Sequence, residues 1–441
     1  MQERIITLAT PVFFALIALE IAWGVRRGRN TYRLDDAINS IGLGVLSQVS
    51  GVFVRVLRIG LYAGVFDAVA PWRLPADSAW VWLFALLFYD LCYYWHHRLG
   101  HERQILWAAH VVHHQSEDYN LSTALRQTSS GALLGWVFYL PMAFAGIPPE
   151  VFAVVALVDL LYQYWIHTQH IGRLGWFDRV FASPSNHRAH HAVNARYLDR
   201  NYGGILIVWD RLFGTFVEED DADPPVYGTR APLRSWNPLW ANVEVYSSML
   251  HDMVHARRWR DRLRVLVAPT GWRPDDVRDD APRQSFSLGR PRYAPQATRS
   301  ARTYALVQFA FVLAAAVYFL QWQERAPLFE SLAWFAWIAL ALTTLGWMLE
   351  GRRIGALLET ARCAGTGLAL LAVQAWPGFA RGMPGSTGSL EVLAAAALAS
   401  AACAAWIAWR SFAAWRDEMR GAAHGASTPL GRSASARVEP R

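Results

Sequence analysis

Apolar runs long enough to cross a bilayer recur along the chain, at 6–25, 41–66 and 78–95, then at 303–322, 329–349, 355–376 and 389–409. About 20 apolar residues in helical conformation cover the ~30 Å hydrocarbon layer, so each of these runs predicts a spanning helix. Two shorter runs, 131–147 and 150–166, are joined by Pro148-Pro149 and predict a helical pair that is short for a full span. The second run carries Arg55 and Arg58, three apart, which are expected to face protein or the cytosolic interior because an unpaired charge in lipid is costly. The pattern predicts an all-α fold, a polytopic membrane helix bundle.

Between the middle runs and residue 302 the chain turns polar. It has an acidic run (Glu218, Glu219, Asp220, Asp221, Asp223) and then an arginine-rich run from Arg257 to Arg302. The expected organisation is a membrane catalytic unit over 1–300, C-terminal transmembrane helices over 301–420, and a disordered Ser/Ala/Arg-rich tail over 421–441. No internal repeat, GxGxxG, Walker loop or GxSxG is present.

Composition agrees. Hydrophobic residues make up 54% of the 441, charged residues only 17%, and Trp reaches 22. The mean hydropathy of +0.13 is high for a chain that also carries polar segments. The formal charge is +7, and all 42 basic residues are Arg. They cluster at the ends of apolar runs, which argues for membrane anchoring and against nucleic-acid binding. Cys92, Cys363 and Cys403 each sit alone inside an apolar segment, as packing residues do. The N-terminal run lacks a small-x-small cleavage site and is followed by Arg26, Arg27, Arg29 and Arg33, so it reads as a retained first helix.

Arginines also predict the topology. The 26–38 loop, the 351–354 loop (Arg352, Arg353) and the C-terminal tail are rich in them. The alternate loops at 67–77, 323–328 and 377–388 hold one each (Arg73, Arg325, Arg381). Threading the runs with every Arg-rich loop in the cytoplasm leaves the N-terminus outside. The 131–166 pair must then enter and leave from the cytoplasmic side. On that side fall eleven of the fourteen histidines, all between His96 and His191.

Those histidines carry metal-ligand spacing. HHRLGH gives His97 and His101, HVVHH gives His110, His113 and His114, and HRAHH gives His187, His190 and His191. Positions i, i+3 and i+4 share one face of a helix, so each group is expected to direct its imidazoles to one point. Eight nitrogens exceed the four ligands of one zinc, and neither HExxH nor ExxH occurs, so the count argues for two metals. Imidazole suits iron, copper and zinc alike. A metal transporter would place such ligands at the midplane of its spans, whereas these fall at helix ends.

The stretches DLCYYWHHRLGH (90–101), WAAHVVHHQSEDYNLSTALRQ (107–127), SPSNHRAHH (183–191) and DRNYGGILIVWDRLFGTF (199–216) resemble the fatty acid hydroxylase/sterol desaturase superfamily. Within it, SEDYNLSTALRQ and YQYWIHT (162–168) are most similar to the alkylglycerol monooxygenases and their bacterial relatives, with weaker likeness at SWNPLWAN (235–242). The resemblance implies two iron ions that activate O2 for oxidation of an unactivated lipid C–H bond. It implies as ligands His97, His101, His110, His113, His114, His187, His190 and His191, with His167 as a ninth. His96, His170 and Asn186 stay outside that set, and His251 with His255 reads as a surface helix pair.

Several polar residues are expected beside the ligands. Asp90, seven residues before His97, would accept a ligand ring N–H or pair with Arg55 or Arg58. Asp159 and Gln163 precede His167 on one helical face, and Asp118, Asn120 and Asn201 would orient ligands or serve turns. Glu102 forms with His101 an HE pair that recurs in the alkylglycerol monooxygenase pattern and implies a role in pterin use, the alternative being a solvated helix residue. No haem, flavin or iron–sulfur motif supplies electrons, which must come from a tetrahydropterin or a partner protein. The leading expectation is a membrane di-iron lipid monooxygenase, with ether lipids as the substrate the resemblance implies. The alternative is a sterol, carotenoid or acyl-chain hydroxylase or desaturase. The expected location is the inner membrane of a bacterium or the endoplasmic reticulum of a eukaryote, with the active site facing the cytoplasm.

Overall fold

A computed structural model describes residues 2–55, 60–280, 286–375 and 387–425, and among them there are helices and three isolated β-bridges but no strands. The N-terminal helices are α1 (Gln2–Arg26), α2 (Leu34–Arg55), α3 (Leu61–Val69) and α4 (Ala79–Glu102). Short helices follow: α5 (Gln104–Ala108), α6 (Val111–His114), α7 (Leu121–Ala124), α8 (Gly131–Gly135) and α9 (Leu140–Phe144). Then come α10 (Pro149–Trp165), α11 (Phe177–Val180), α12 (Pro184–His190) and α13 (Val208–Leu212). The polar stretch holds α14 (Pro238–His255), α15 (Trp259–Val267) and α16 (Asp275–Asp280). The C-terminal helices are α17 (Arg299–Trp322), α18 (Leu328–Leu349), α19 (Arg353–Ala375) and α20 (Thr387–Gly425).

Six of these are long and apolar enough to cross a membrane, within α1, α2, α17, α18, α19 and α20. The chain is a multi-pass membrane protein. The run expected at 41–66 is described as two helices, α2 and α3, and α2 starts earlier, at Leu34. Arg58 and the side chain of Arg55 lie outside the described residues. The run at 131–147 divides into α8, a 3-10 turn and α9. α20 continues helical to Gly425, into the stretch expected to be a disordered tail, and 426–441 lie outside the described residues.

Two apolar cores hold the bundle. One joins α2 to α17, α18 and α19 through Leu46, Val49, Phe309, Ile338, Leu342 and Ala356. The other joins α3, α4, α9 and α10 through Tyr62, Tyr89, Met142 and Val151. Inside the C-terminal helices, Arg362 and Glu359 form a buried ion pair, and Thr344 and Tyr304 also donate to Glu359. Polar contacts tie the helix ends to one another and to the histidine segment. Arg33 pairs with Asp118 at 2.8 Å, Arg302 with Asp35 at 2.9 Å, and Glu350 at the end of α18 accepts from Ser235 at 2.7 Å.

Local signals place the short helices. Asn120 caps α7 in a reciprocal capping box with Thr123, Ser183 caps α12 ahead of Pro184, and Asn237 caps α14 ahead of Pro238. α4 runs on through His97, Gly100 and His101 and stops where Arg103 turns extended.

Candidate metal centre

Nine buried or half-buried histidines converge in two adjoining groups. His97, His101, His110, His114 and His190 offer ring nitrogens within 4.8 Å of one another, and so do His113, His167, His187 and His191. These are the nine residues singled out in the sequence, but their sorting differs from the expectation. No three-histidine box points to a single place. In each, the i and i+4 members share a group and the i+3 member joins the other: His110 and His114 against His113, His187 and His191 against His190. Helical geometry explains this, since i+3 and i+4 point about 100° apart around the axis.

Backbone carbonyls lock the rings. Nδ1 of His97 faces Tyr202 O at 2.8 Å, that of His113 faces Arg126 O at 2.9 Å, that of His167 faces Gln163 O at 2.7 Å, and that of His190 faces Arg200 O at 2.8 Å. A carbonyl only accepts, so Nδ1 carries the proton and Nε2 presents a lone pair to the centre. The Nε2 atoms of His113 and His167 are then 3.1 Å apart, those of His167 and His187 3.0 Å, and those of His187 and His191 3.2 Å. Lone pairs so close repel unless a cation lies between them. Two adjacent nitrogens each ~2.1 Å from one metal ion stand about 3 Å apart.

In the five-histidine group, Nε2 of His97, His101 and His190 are buried with no hydrogen-bond partner. Unpartnered buried nitrogens of this kind are costly unless they ligate something. Burial, reinforced by neighbouring imidazoles, pushes His97, His110, His114, His187, His190 and His191 well below the ordinary 6.5. His113 is pushed down to about 4, by burial first. The rings are therefore neutral, as metal binding requires. Both groups have the composition and geometry of metal sites.

The loop 199–206 builds one side of the five-histidine group. Asp199 and Asn201 hold the left-handed conformation, at φ 57° and 58°. The Asn201 amide donates to Asn186 O and Val217 O and accepts from Val217 N, which fixes the loop between the two carbonyls that orient His190 and His97. Asp210 accepts from the Tyr202 and Gly203 N–H groups at 2.7 Å. Asp90 accepts from the Ile205 and Leu206 N–H groups and from the Trp209 indole. Among the described residues it thus grips the loop and not a ligand ring; the arginines weighed as its alternative partners lie outside those residues. Gln163 lies behind His167, giving its carbonyl to that ring and its side-chain N–H to Asp159 at 2.6 Å.

Glu102 is not in either group. Its carboxylate is one-third exposed and takes a hydrogen bond from Arg98 at 2.8 Å, one turn back on α4. Asp118 pairs with Arg33 and Arg292, and Asn120 serves as a helix cap, so neither touches a ligand ring. His96 packs on Phe138, Asn186 binds the Asp178 and Phe181 carbonyls, and His251 stacks on His255 along α14. His170 also stays outside both groups.

Sequence reasoning missed Arg126. It is almost wholly buried and donates to Val112 O, Asn39 Oδ1, Ser40 Oγ and Gln115 Oε1, tying the HVVHH segment to α2 while its own carbonyl orients His113. Its place in ALRQ was the available signal. Tyr202, buried with its hydroxyl unpartnered beside the five-histidine group, was missed as well.

Residues 82–215, which carry all nine of these histidines, match the fatty acid hydroxylase family. An alkylglycerol monooxygenase of Homo sapiens is 37% identical over 366 residues, covering 80% of either chain. The chain belongs to the fatty acid hydroxylase family. An alkylglycerol monooxygenase of Xenopus tropicalis is 36% identical over 80% of this chain and 79% of its own. An ornithine lipid hydroxylase of Rhizobium tropici, OlsE, is 31% identical over 124 residues, 28% of this chain and 38% of its own. No solved structure matches. Likeness to the alkylglycerol monooxygenases reaches well beyond the histidine region. Membership makes the chain an oxidoreductase, a membrane lipid hydroxylase.

Proposed function

We propose that this enzyme hydroxylates the ether-linked carbon of alkylglycerols, using two iron ions, one in each histidine group. The observation that carries the metal count is the division of nine imidazoles into two sets of inward Nε2 lone pairs. Likeness to alkylglycerol monooxygenases over four-fifths of the chain supports the substrate. His97, His101, His110, His114 and His190 would hold one iron, and His113, His167, His187 and His191 the other. Bound iron supplies the activation of O2 for insertion into an unactivated C–H bond.

The protein's own groups do the rest. Carbonyls of Tyr202, Arg200, Arg126 and Gln163 hold four rings in one tautomer and one orientation. Burial of the histidines keeps water from the reacting centre. Glu102, next to His101 and partly exposed, offers the carboxylate for a tetrahydropterin that delivers two electrons. In balance, the ether carbon, O2, two electrons and two protons give a hemiacetal and water. The hemiacetal then collapses to an aldehyde and glycerol. The site would face the cytoplasm, in keeping with the arginine-rich loops that the sequence assigns to that side. Residues 1–300 would form the catalytic unit, with the helices from 301 to 420 packed on its α2 as a membrane element.

The test is membrane-embedded protein supplied with 18O2, with and without tetrahydropterin, followed by lipid mass spectrometry. Pterin-dependent release of 18O-labelled aldehyde from alkylglycerols is the expected result. Label in a sterol, carotenoid or acyl hydroxyl would overturn the substrate. A partner-protein reductant replacing the pterin would overturn the electron source.

A further inference from the structure

α14 and α15 present an apolar face that the protein leaves uncovered. Their inner sides pack on α5 through Val245, Met249 and Val265 against Ala108 and Ile105, while Ala241 packs on Leu43 of α2 and Val112 of α6. Their outer sides would be polar if water covered them. Instead, Leu239, Val243, Leu250 and Val254 fall at helical spacing along α14, the last two each 60% exposed. On α15, Trp259, Leu263 and Val267 follow at i, i+4 and i+8, exposed by 67, 56 and 63%. Arg257, Arg258, Arg260, Arg262 and Arg264 are all exposed beside that stripe. Asp261 is the acid within α15, and Asp276 accepts the Arg257 N–H where α14 turns into α15.

A short helix with an arginine-rich face, a Trp/Leu/Val face and low overall hydrophobicity has the pattern that settles into a bilayer surface. The surroundings agree, because α14 starts against two candidate spanning helices: Asn39 of α2 donates to Trp236 O at 2.7 Å, and Glu350 past α18 accepts from Ser235.

We propose that α14 and α15 lie in the headgroup layer of the bilayer these helices cross, with Leu250, Val254, Trp259, Leu263 and Val267 in the acyl boundary and the arginines on lipid phosphates. The seat is fastened to the metal centre. Gln104 donates to Val265 O at 3.1 Å and to Trp272 O at 2.9 Å, Arg103 donates to Val267 O at 3.2 Å, and the Thr270 hydroxyl donates to His101 O. The lipid surface therefore fixes the height at which the His101 end of α4 meets the membrane. A protein partner would need an apolar ridge shaped to both helices; the bilayer needs only to be adjacent.

The test uses full-length protein with the exposed Cys403 replaced (C403S), Cys92 and Cys363 being buried. Nitroxide labels go at V254C, at L263C and, as a water reference, at A222C in an exposed loop. Metal content equal to the parent's marks each variant as folded. In phosphatidylcholine nanodiscs, the ratio of oxygen to nickel-chelate accessibility should be several-fold higher at 254 and 263 than at 222. Adding phosphatidylglycerol should raise it further, and R258Q/R260Q/R264Q should abolish that gain. Labels at 254 and 263 that behave like the one at 222 in both lipids would overturn the proposal and leave the stripe to a water-soluble protein. A phosphatidylglycerol gain that survives the triple replacement would overturn the phosphate contacts.

Discussion

His114 and His191 stack ring on ring, with centroids 4.3 Å apart and planes 23° from parallel, yet they belong to different histidine groups. The two candidate metal sites thus share a wall made of one ligand from each. Neither ring can tilt without moving the other, so the groups form one unit with two positions.

The two positions should nonetheless be separable by content. His190→Ala removes a donor from the five-histidine group and His187→Ala one from the four-histidine group. Each variant should lose hydroxylation and at least one metal per chain, measured by elemental analysis of gently purified protein. Full metal retention in both would exclude these residues as ligands.

Asn201→Ala should act on one position only. The loop it fixes orients His190 and His97 through the Arg200 and Tyr202 carbonyls, whereas His113 and His167 rely on Arg126 and Gln163. Loss of such an orienting partner typically costs about 10–100-fold in metal affinity. Metal titration of the stripped variant should show one weakened and one unchanged site. Equal weakening of both would mean general unfolding.

Arg126→Met should be among the most destabilising single changes in the histidine region. It leaves the acceptors Asn39 Oδ1 and Gln115 Oε1 buried without their donor, at about 1–3 kcal/mol each before any relaxation, and leaves Val112 O only the longer bond from the Gln115 N–H. A lowered thermal midpoint together with weakened metal retention is expected. A midpoint within experimental error of the parent's would refute the staple.

Metal-free protein should be acid-sensitive. In the folded chain His97, His110, His113, His114, His187, His190 and His191 lie below 6.5, while the unfolded chain titrates at the ordinary value. Between those values the unfolded state binds more protons. Stability is therefore flat above about pH 7.5 and falls below about pH 6.5, by up to about 1.4 kcal/mol per pH unit for each histidine. Thermal midpoints of stripped protein across that range check the slope. A midpoint that rises on acidification would contradict the burial.

Orientation can be read directly. Gly28 and Gly175 both sit at exposed turns with positive φ, suited to an inserted reporter. Reporters at both should read cytoplasmic. An external signal at Gly175 would move the metal centre to the opposite face.

The sequence by itself determined the class of fold, the nine histidines and the family. Helical spans announce themselves because lipid demands long uninterrupted apolar runs, and imidazoles at i, i+3 and i+4 announce a metal because little else rewards such crowding. It could not determine how those histidines pair across the chain. His113 and His114 are neighbours in sequence but belong to different histidine groups, since one helical step turns a side chain by about 100°. Asp90 likewise looked like a partner for His97 on its own helix, one face and seven residues away. The folded chain instead brings residues 205–209 against that carboxylate and lets Tyr202 O take the ring. Local periodicity decides which way a side chain can point. What it meets there depends on segments far along the chain, and only tertiary packing brings those into reach.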